Sequence, residues 1–327
     1  MNSPVLAQPY QMQRYWYSRA NAEGKSEANR PRWRSIESRE SSRASSLPSR
    51  FPFNVHNDQT GTRLASHLSL VFMTRRWASG VTKLNIMFDV RPYVSRHSAW
   101  PYKPADFERY DTSSDEQFYV HPRLVTHIDD HAIATLQSYY SSALPKTGRM
   151  LDFCSSWISH FPPELADRAT SEDAGLEVIG LGMNKRELDS NPILRHRLIR
   201  DLNVDPSIPD FQPLAAATCV VSIDYLTQPR DVLSSLRERM QPGGLVHLAV
   251  SNRCFPTKAI RRWLEISEHS RLDMVGDYLH FAGWKKVEIV ELSDGSARLT
   301  QEEAEAIGRK EGERYRVDPL WVVRAEA

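Results

Sequence analysis

The feature that most constrains this chain is the alternation that begins after Gly148. Short apolar segments at 150–154, 176–181, 197–200, 218–223, 245–250, 286–292 and 320–324 read as strands, with helical stretches at 162–169, 185–189, 230–240 and 257–268 between them. Strand, helix, strand repeated in this way requires right-handed crossovers, so the pattern predicts an α/β fold: a mostly parallel sheet with helices on both faces. The last two strand candidates lack a comparable crossover helix, and the polar, acid-rich stretch 293–316 joins them instead. That ending predicts a last strand inserted antiparallel.

The first part of the chain is different in kind. Residues 1–100 carry 15 Lys+Arg against 6 Asp+Glu, so the overall net charge of +1 averages a basic leader of +9 and a remainder of −8. Between Arg30 and Arg50 lie six arginines and seven serines, with too few apolar residues to offset the entropy of ordering. Residues 1–99 are therefore expected to be a disordered basic leader. Within it, 62–80 mixes apolar residues with Arg and Ser and has no acid, a composition that also suits an import presequence, with Met73 or Met87 as alternative starts. The localisation read from this is cytoplasmic, or mitochondrial if 62–80 is such a presequence. Residues 100–145 are aromatic and end in a helix over 131–143, capped by Asp129 or Asp130, with Ile133, Leu136, Tyr140 and Leu144 on one side. They are expected to form a helical lid over the domain at 146–327.

Cys154, Cys219 and Cys254 are three and widely spaced, which gives neither a disulfide framework nor a metal knuckle. No stretch approaches 18 consecutive apolar residues, so no transmembrane helix is expected.

In an open parallel sheet, ligands bind at the carboxyl ends of the strands near the point where strand order reverses. The loops there read Leu151-Asp152-Phe153-Cys154-Ser155-Ser156-Trp157, Gly180-Leu181-Gly182-Met183-Asn184, Arg200-Asp201-Leu202-Asn203, Ser222-Ile223-Asp224-Tyr225-Leu226 and Ser251-Asn252-Arg253-Cys254. Together with Met240-Gln-Pro-Gly-Gly-Leu, a tight turn leading into the fifth strand, this series resembles the class I S-adenosylmethionine-dependent methyltransferases that act on small molecules. The resemblance covers about residues 125–327. It implies a Rossmann-like methyltransferase sheet, S-adenosyl-L-methionine as cofactor and a small-molecule acceptor. Its cofactor side would be Asp152, Cys154, Ser155, Ser156, Gly182, Met183, Asn184, Asp201, Leu202, Asn203 and Ser222.

Two departures stand out. Such a first loop normally carries Asp-x-Gly-x-Gly-x-Gly, whereas no glycine occurs here between Gly148 and Gly175. The acid that would grip the ribose falls at Gly182, with Asn184 as its stand-in. Glycine is scarce throughout, 14 in 327 residues, against a usual share of about 7%.

Methyl transfer mainly needs alignment of the acceptor and, for some acceptors, removal of a proton. His280 and Asp224 are the catalytic candidates, with His127 an alternative base, its ordinary pKa lying near 6.5. Tyr225, Asn252, Arg253, Tyr278 and His127 are candidates to face the acceptor. Each has a plainer reading: Asp224 as a helix cap, His280 as a packed rim residue, and Arg253, Lys258, Arg261 and Arg262 as a solvated helix face. The rival function keeps the fold without methyl transfer, as a cofactor-independent enzyme or binding partner. Nucleic acid is disfavoured as a partner by the −8 of the remainder, and the sequence leaves the oligomeric state open.

Overall fold

The computed structural model describes residues 88–211 and 213–327. Residues 1–87 of the expected leader, with the stretch 62–80 and the alternative starts, lie outside the described residues. From residue 88 the chain forms β1 (Asp89–Pro92), the four-residue helix α1 (Asp115–Phe118), α2 (Asp130–Ala143), β2 (Gly148–Phe153), α3 (Pro163–Thr170), β3 (Leu176–Gly182), α4 (Lys185–Ser190) and β4 (His196–Ile199). There follow β5 (Leu214–Val220), α5 (Pro229–Arg239), β6 (Met240–Ser251), α6 (Arg261–Glu265), α7 (Glu268–Phe281), β7 (Lys285–Ser293), β8 (Ser296–Arg298), α8 (Gln301–Ile307), β9 (Arg314–Arg316) and β10 (Leu320–Glu326).

Eight strands make one sheet in the order β1-β7-β10-β6-β5-β2-β3-β4, and β8 pairs with β9 apart from it. Strands β2 to β6 run parallel to their neighbours among themselves. The last strand, β10, lies between β6 and β7 and is antiparallel to both. All seven expected strands are present, and the last is inserted as the sequence predicted.

The period of two in each strand separates two cores. Leu151 and Phe153 of β2 join Cys219, Leu248 and Val323 on one face, under Val232, Leu233 and Leu236 of α5 and Leu272, Val275 and Leu279 of α7. Met150 joins Val178, Ala216, Ala249 and Val322 on the other, under Leu136 and Tyr140 of α2 and Leu165 and Ala169 of α3.

Three expectations change. Asp89–Pro92 does not belong to a disordered leader: it pairs antiparallel with β7 as an edge strand, because β7 would otherwise present an open edge. Helix α2 is not a lid. Its Ala132, Leu136, Tyr139 and Tyr140 are buried against the sheet, so it is a layer of the domain. The helix expected over 257–268 is the five-residue α6, and the long crossover helix is α7, begun by Ser267, whose side chain accepts from Ser270 N–H. Sequence periodicity misses α7 because it is buried nearly all round. Its Arg271 donates to Trp263 O (2.8 Å) and its Asp277 accepts from Tyr102 OH (2.6 Å) and Tyr93 OH, so polar residues sit where a stripe of apolar ones would be sought.

Among the described residues, no helix is long and apolar enough to cross a membrane.

Gly276 of α7 is where β1's extension meets the helix: a methyl group there collides with the Tyr93 ring. Gly276→Ala is expected to displace Tyr93 and lower stability by about 1–3 kcal/mol, measured by chemical denaturation. In a Tyr93→Ala background the same substitution should cost much less; additive losses would count against this packing.

Candidate functional site

Strand order reverses between β2 and β5, and the loops expected to hold a ligand surround that point. The first of them is built on Asp152. Its carboxylate is 3% exposed and accepts from Ser155 Oγ (2.6 Å), Ser159 Oγ (2.7 Å) and Thr218 Oγ1 of β5 (2.8 Å). Burial pushes its carboxyl pKa up, and these donors oppose the rise without cancelling it. Ser155 N–H also donates to Leu181 O of β3 (2.8 Å), Ser156 Oγ to Glu187 Oε2 (2.8 Å), and Asn191 Nδ2 to Ser156 O (3.1 Å) and Ser159 Oγ (2.9 Å). Cys154 takes φ = 54°, the left-handed conformation that glycine adopts most easily. Side-chain hydrogen bonds thus shape a loop that glycine shapes in the resembling family.

The second loop is equally committed. A methyl group on Gly182 would collide with Ser155 O, so no acid can stand there with this first loop. Asn184, the expected stand-in, is the cap of α4: its Oδ1 accepts from Arg186 N–H (2.9 Å) and Glu187 N–H (3.1 Å), and its Nδ2 donates to Tyr119 O (2.7 Å) and Val120 O (3.3 Å). Met183 beside it is half-buried.

Residues 109–123 therefore lie across the strand ends, as extended chain with one four-residue helix and not as a helical lid. An ion cluster pins them. Arg109 Nη1 donates to both Asp115 oxygens (2.9 and 2.8 Å), Asn203 Nδ2 donates to Asp115 Oδ2 (2.9 Å), and Lys258 Nζ lies 3.1 Å from Asp115 Oδ1 and 3.4 Å from Asp111 Oδ2. The Lys258 side chain is 0% exposed, so it is not part of a solvated helix face. Burial alone would raise the Asp115 carboxyl, but Arg109, Asn203 and Lys258 outweigh burial and hold it below the ordinary range. Asn203 also donates to Tyr225 O (3.0 Å) and accepts from Thr227 N–H (2.7 Å). Asp201, raised by burial and by the charge of Asp115, accepts from Asn203 N–H (2.8 Å). Leu202 belongs to the core, and Ser222 Oγ donates to Val220 O (2.8 Å).

Other groups at the strand ends are left without hydrogen-bond partners among the described residues: Asp224 Oδ2, Ser251 Oγ, Asn252 Oδ1, Tyr278 OH and Arg123 Nη1. Asp224 does not cap a helix. Burial pushes its carboxyl up to about 8, against its own backbone N–H and Arg271, which lower it. Tyr119, Tyr225, Tyr278 and Cys219 lie close enough for the charge of Asp224 to raise each of them further. Tyr225 OH accepts from Phe255 N–H (2.8 Å). His127 meets the Phe255 ring edge-on, 5.5 Å between centroids, and burial and Arg123 lower its pKa.

Two candidates fall away from this group. His280 is on the exposed side of α7, its ring against Phe281 and Tyr93, because two residues turn a helix by about 200° from buried Tyr278. Arg253 is held by Asp318 Oδ1 (Nε 2.8 Å, Nη2 2.6 Å), and Asp318 exchanges two backbone-to-carboxylate bonds with Asp129 at the start of α2 (2.9 and 2.7 Å). That residue ties β6 to α2 and β10. Conversely, the sequence did not single out Arg109, Asp115, Arg123 or Glu187. Its only signals for them were the acidic run Asp111-Thr-Ser-Ser-Asp115-Glu116 and Lys258 flanked by apolar Ala259 and Ile260.

No protein-family model and no curated protein matches the sequence. Solved structures do match. A SAM-dependent methyltransferase from Archaeoglobus fulgidus is 12% identical over 60% of this chain and 94% of that chain, with a TM-score of 0.40. Precorrin-6y C5,15-methyltransferase from Geobacter metallireducens is 13% identical over 63% and 92%, at 0.39. Phosphoethanolamine N-methyltransferase 2 from Haemonchus contortus, in complex with S-adenosyl-L-methionine, is 15% identical over 59% and 52%, at 0.37, so the chain spans about half of that protein. The architecture rests on the sheet itself. Parallel strands wind outward from β2 and β5, and the last strand turns antiparallel between β6 and β7. The fold is the mixed, Rossmann-like α/β sheet that the sequence predicted.

The ion cluster makes an asymmetric prediction. Asp115→Ala strands the half-buried Arg109 and leaves buried Lys258 with Asp111 as its only carboxylate among the described residues, and should cost about 3–5 kcal/mol. Lys258→Met, which leaves Asp115 with Arg109 and Asn203, should cost distinctly less in the same denaturant titration. Because the folded pKa of Asp115 is depressed, its contribution is complete above the ordinary carboxylate range, about 4, and is lost as pH falls through the lowered value. The Asp115→Ala deficit should therefore shrink in acid.

Proposed function

We propose that the chain is an S-adenosylmethionine-dependent methyltransferase acting on a small molecule. One observation supports this above the rest: among the described residues, buried polar atoms without partners occur on residues that follow β5 and β6, namely Asp224 Oδ2 and Asn252 Oδ1, and on Arg123 Nη1. Each such atom costs about 1–3 kcal/mol. Their position is the one at which this architecture takes ligands, and a ligand with matching donors and acceptors removes the cost.

The cofactor, when bound, supplies a methyl group already activated on a sulfonium. Backbone groups of Cys154 and Ser156, with the hydroxyl oxygens of Ser155 and Ser156 as acceptors, would hold it on one side, and Met183, Asp201, Leu202, Asn203 and Ser222 on the other. Asp152 and Asn184 act indirectly, the first by fixing the loop and the second by fixing α4 and residues 119–120. Tyr225, Asn252, Tyr278 and His127 face the acceptor and exclude water from it. Asp224 Oδ2 takes the proton that the acceptor loses, with the neutral imidazole of His127 as the alternative base.

A second reading, the same fold without methyl transfer, is favoured by one observation: Asn184, Glu187 and Asn203 are all engaged by residues 115–123. Titration calorimetry with S-adenosylhomocysteine separates the two. Saturable heat is expected; none at millimolar ligand would establish the second reading. With an acceptor found by S-adenosylhomocysteine release, the rate should climb as pH rises through about 8, where Asp224 becomes a base. Asp224→Asn should lower the rate by about 10²–10⁴-fold and abolish that limb; an unchanged profile removes Asp224 from the chemistry.

A further inference from the structure

We infer that Arg123 is a carboxylate-binding residue beside the first loop. The inference rests on the methyltransferase reading only for the identity of one of two carboxylate sources. Arg123 is fixed beside the first loop through its backbone: its N–H donates to Glu187 Oε1 (2.6 Å), while Glu187 Oε2 accepts from Ser156 Oγ (2.8 Å). The guanidinium is enclosed by aromatic rings, 4.3 Å from the centroid of Phe118, 5.2 Å from Phe255 and 5.5 Å from Tyr119. Such contacts occupy the faces of its plane and leave the edges. Nη2 uses its edge on Phe118 O (3.0 Å). Nη1 is buried and has no partner among the described residues.

Among the described residues the guanidinium also forms no ion pair. Glu187, the nearest acid in the hydrogen-bond network, takes the backbone N–H and Ser156 instead of the guanidinium. Burial and Arg123 itself lower the pKa of His127 beside it. A desolvated guanidinium edge is satisfied best by a planar anion. A monoanionic carboxylate fits this place better than a dianionic phosphate, since Lys258 is committed to Asp115 and Asp111 and the carboxylate of Glu187 is held at the backbone of the same residue. The carboxylate comes from the methionine end of the cofactor or from the acceptor.

The test is titration calorimetry on the full chain with three probes: S-adenosylhomocysteine, 5′-methylthioadenosine, which lacks the amino-acid end, and benzoate. Arg123→Met keeps the backbone bond to Glu187, and thermal melting checks that the variant is folded. If the cofactor is the source, Arg123→Met weakens S-adenosylhomocysteine on the order of tenfold to a hundredfold and leaves 5′-methylthioadenosine unchanged. If the acceptor is the source, both nucleosides are unchanged and benzoate binding is lost. Arg123→Lys should recover part of the affinity in either case. The assignment is overturned if Arg123→Met alters neither S-adenosylhomocysteine nor benzoate, if it weakens both nucleosides equally, or if the wild-type chain binds none of the three. Should the wild type bind benzoate but no nucleoside, the methyltransferase reading fails and the benzoate arm alone decides the role of Arg123.

Discussion

The buried carboxylate of Asp152 is the interaction on which the site depends. It stands at the end of β2, next to the point where strand order reverses, and gathers hydroxyls from Ser155 and Ser159 of its own loop and from Thr218 of β5. One group thereby sets the spacing of the two strands that flank the cleft and the path of the loop between β2 and α3. The loop's other bonds follow from that path. Ser156 can reach Glu187, and Asn191 can reach Ser156 and Ser159, only because the chain has been turned back over the end of β3. Three hydroxyl donors on one carboxylate also explain why it is tolerated at 3% exposure: a buried carboxylate with fewer donors would be far more costly.

A second constraint closes the site from above. Arg109, Asp115, Lys258 and Asn203 form a cluster in which no charge is left alone, and its members come from the segment before α2, the approach to α6 and the loop after β4. Such a cluster contributes little net stability compared with well-packed apolar groups, but breaking it is expensive. It therefore fixes where residues 109–123 lie more than it strengthens the domain. Tyr119 and Arg123 are delivered to the strand ends by that placement, and so is the Tyr119 carbonyl that occupies the Asn184 amide. The chemistry available in the cleft is consequently set by a segment outside the alternating strands and helices.

That division also explains what was legible in the sequence. The parallel strands are short apolar runs bounded by turn residues, and their order follows from crossover rules that leave few alternatives. Asp152 and Asp224 were legible because they end strands. Helix α7 was not, because Arg271 and Asp277 are buried through partners on distant elements, Trp263 and Tyr102, and sequence periodicity registers polarity without partners. Lys258 read as a surface residue for the same reason: its counter-ions Asp111 and Asp115 are more than 140 residues away. His280, singled out in the segment before Gly283, and Arg253, singled out after the fifth strand, take orientations that local sequence does not carry. Orientation depends on helical phase for the first and on Asp318 for the second.

The scarcity of glycine is best understood at this loop. Glycine does two separate things in a tight loop: it permits positive φ, and it lacks the Cβ that keeps neighbouring backbone away. Here the two functions are divided. Cys154 takes the positive φ at a cost on the order of 1–2 kcal/mol, a strain that the hydrogen bonds of Ser155, Ser156 and Ser159 are placed to offset. The missing Cβ has moved across to β3, where Gly182 lets the Ser155 carbonyl approach. The two are linked, because Gly182, which makes room for the serine loop, is the position at which the resemblance would put an acid. Introducing Asp at 182 would not restore that acid, since its Cβ would strike the Ser155 carbonyl. With this first loop, position 182 must lack a Cβ, so the serine loop and an acid at 182 exclude one another.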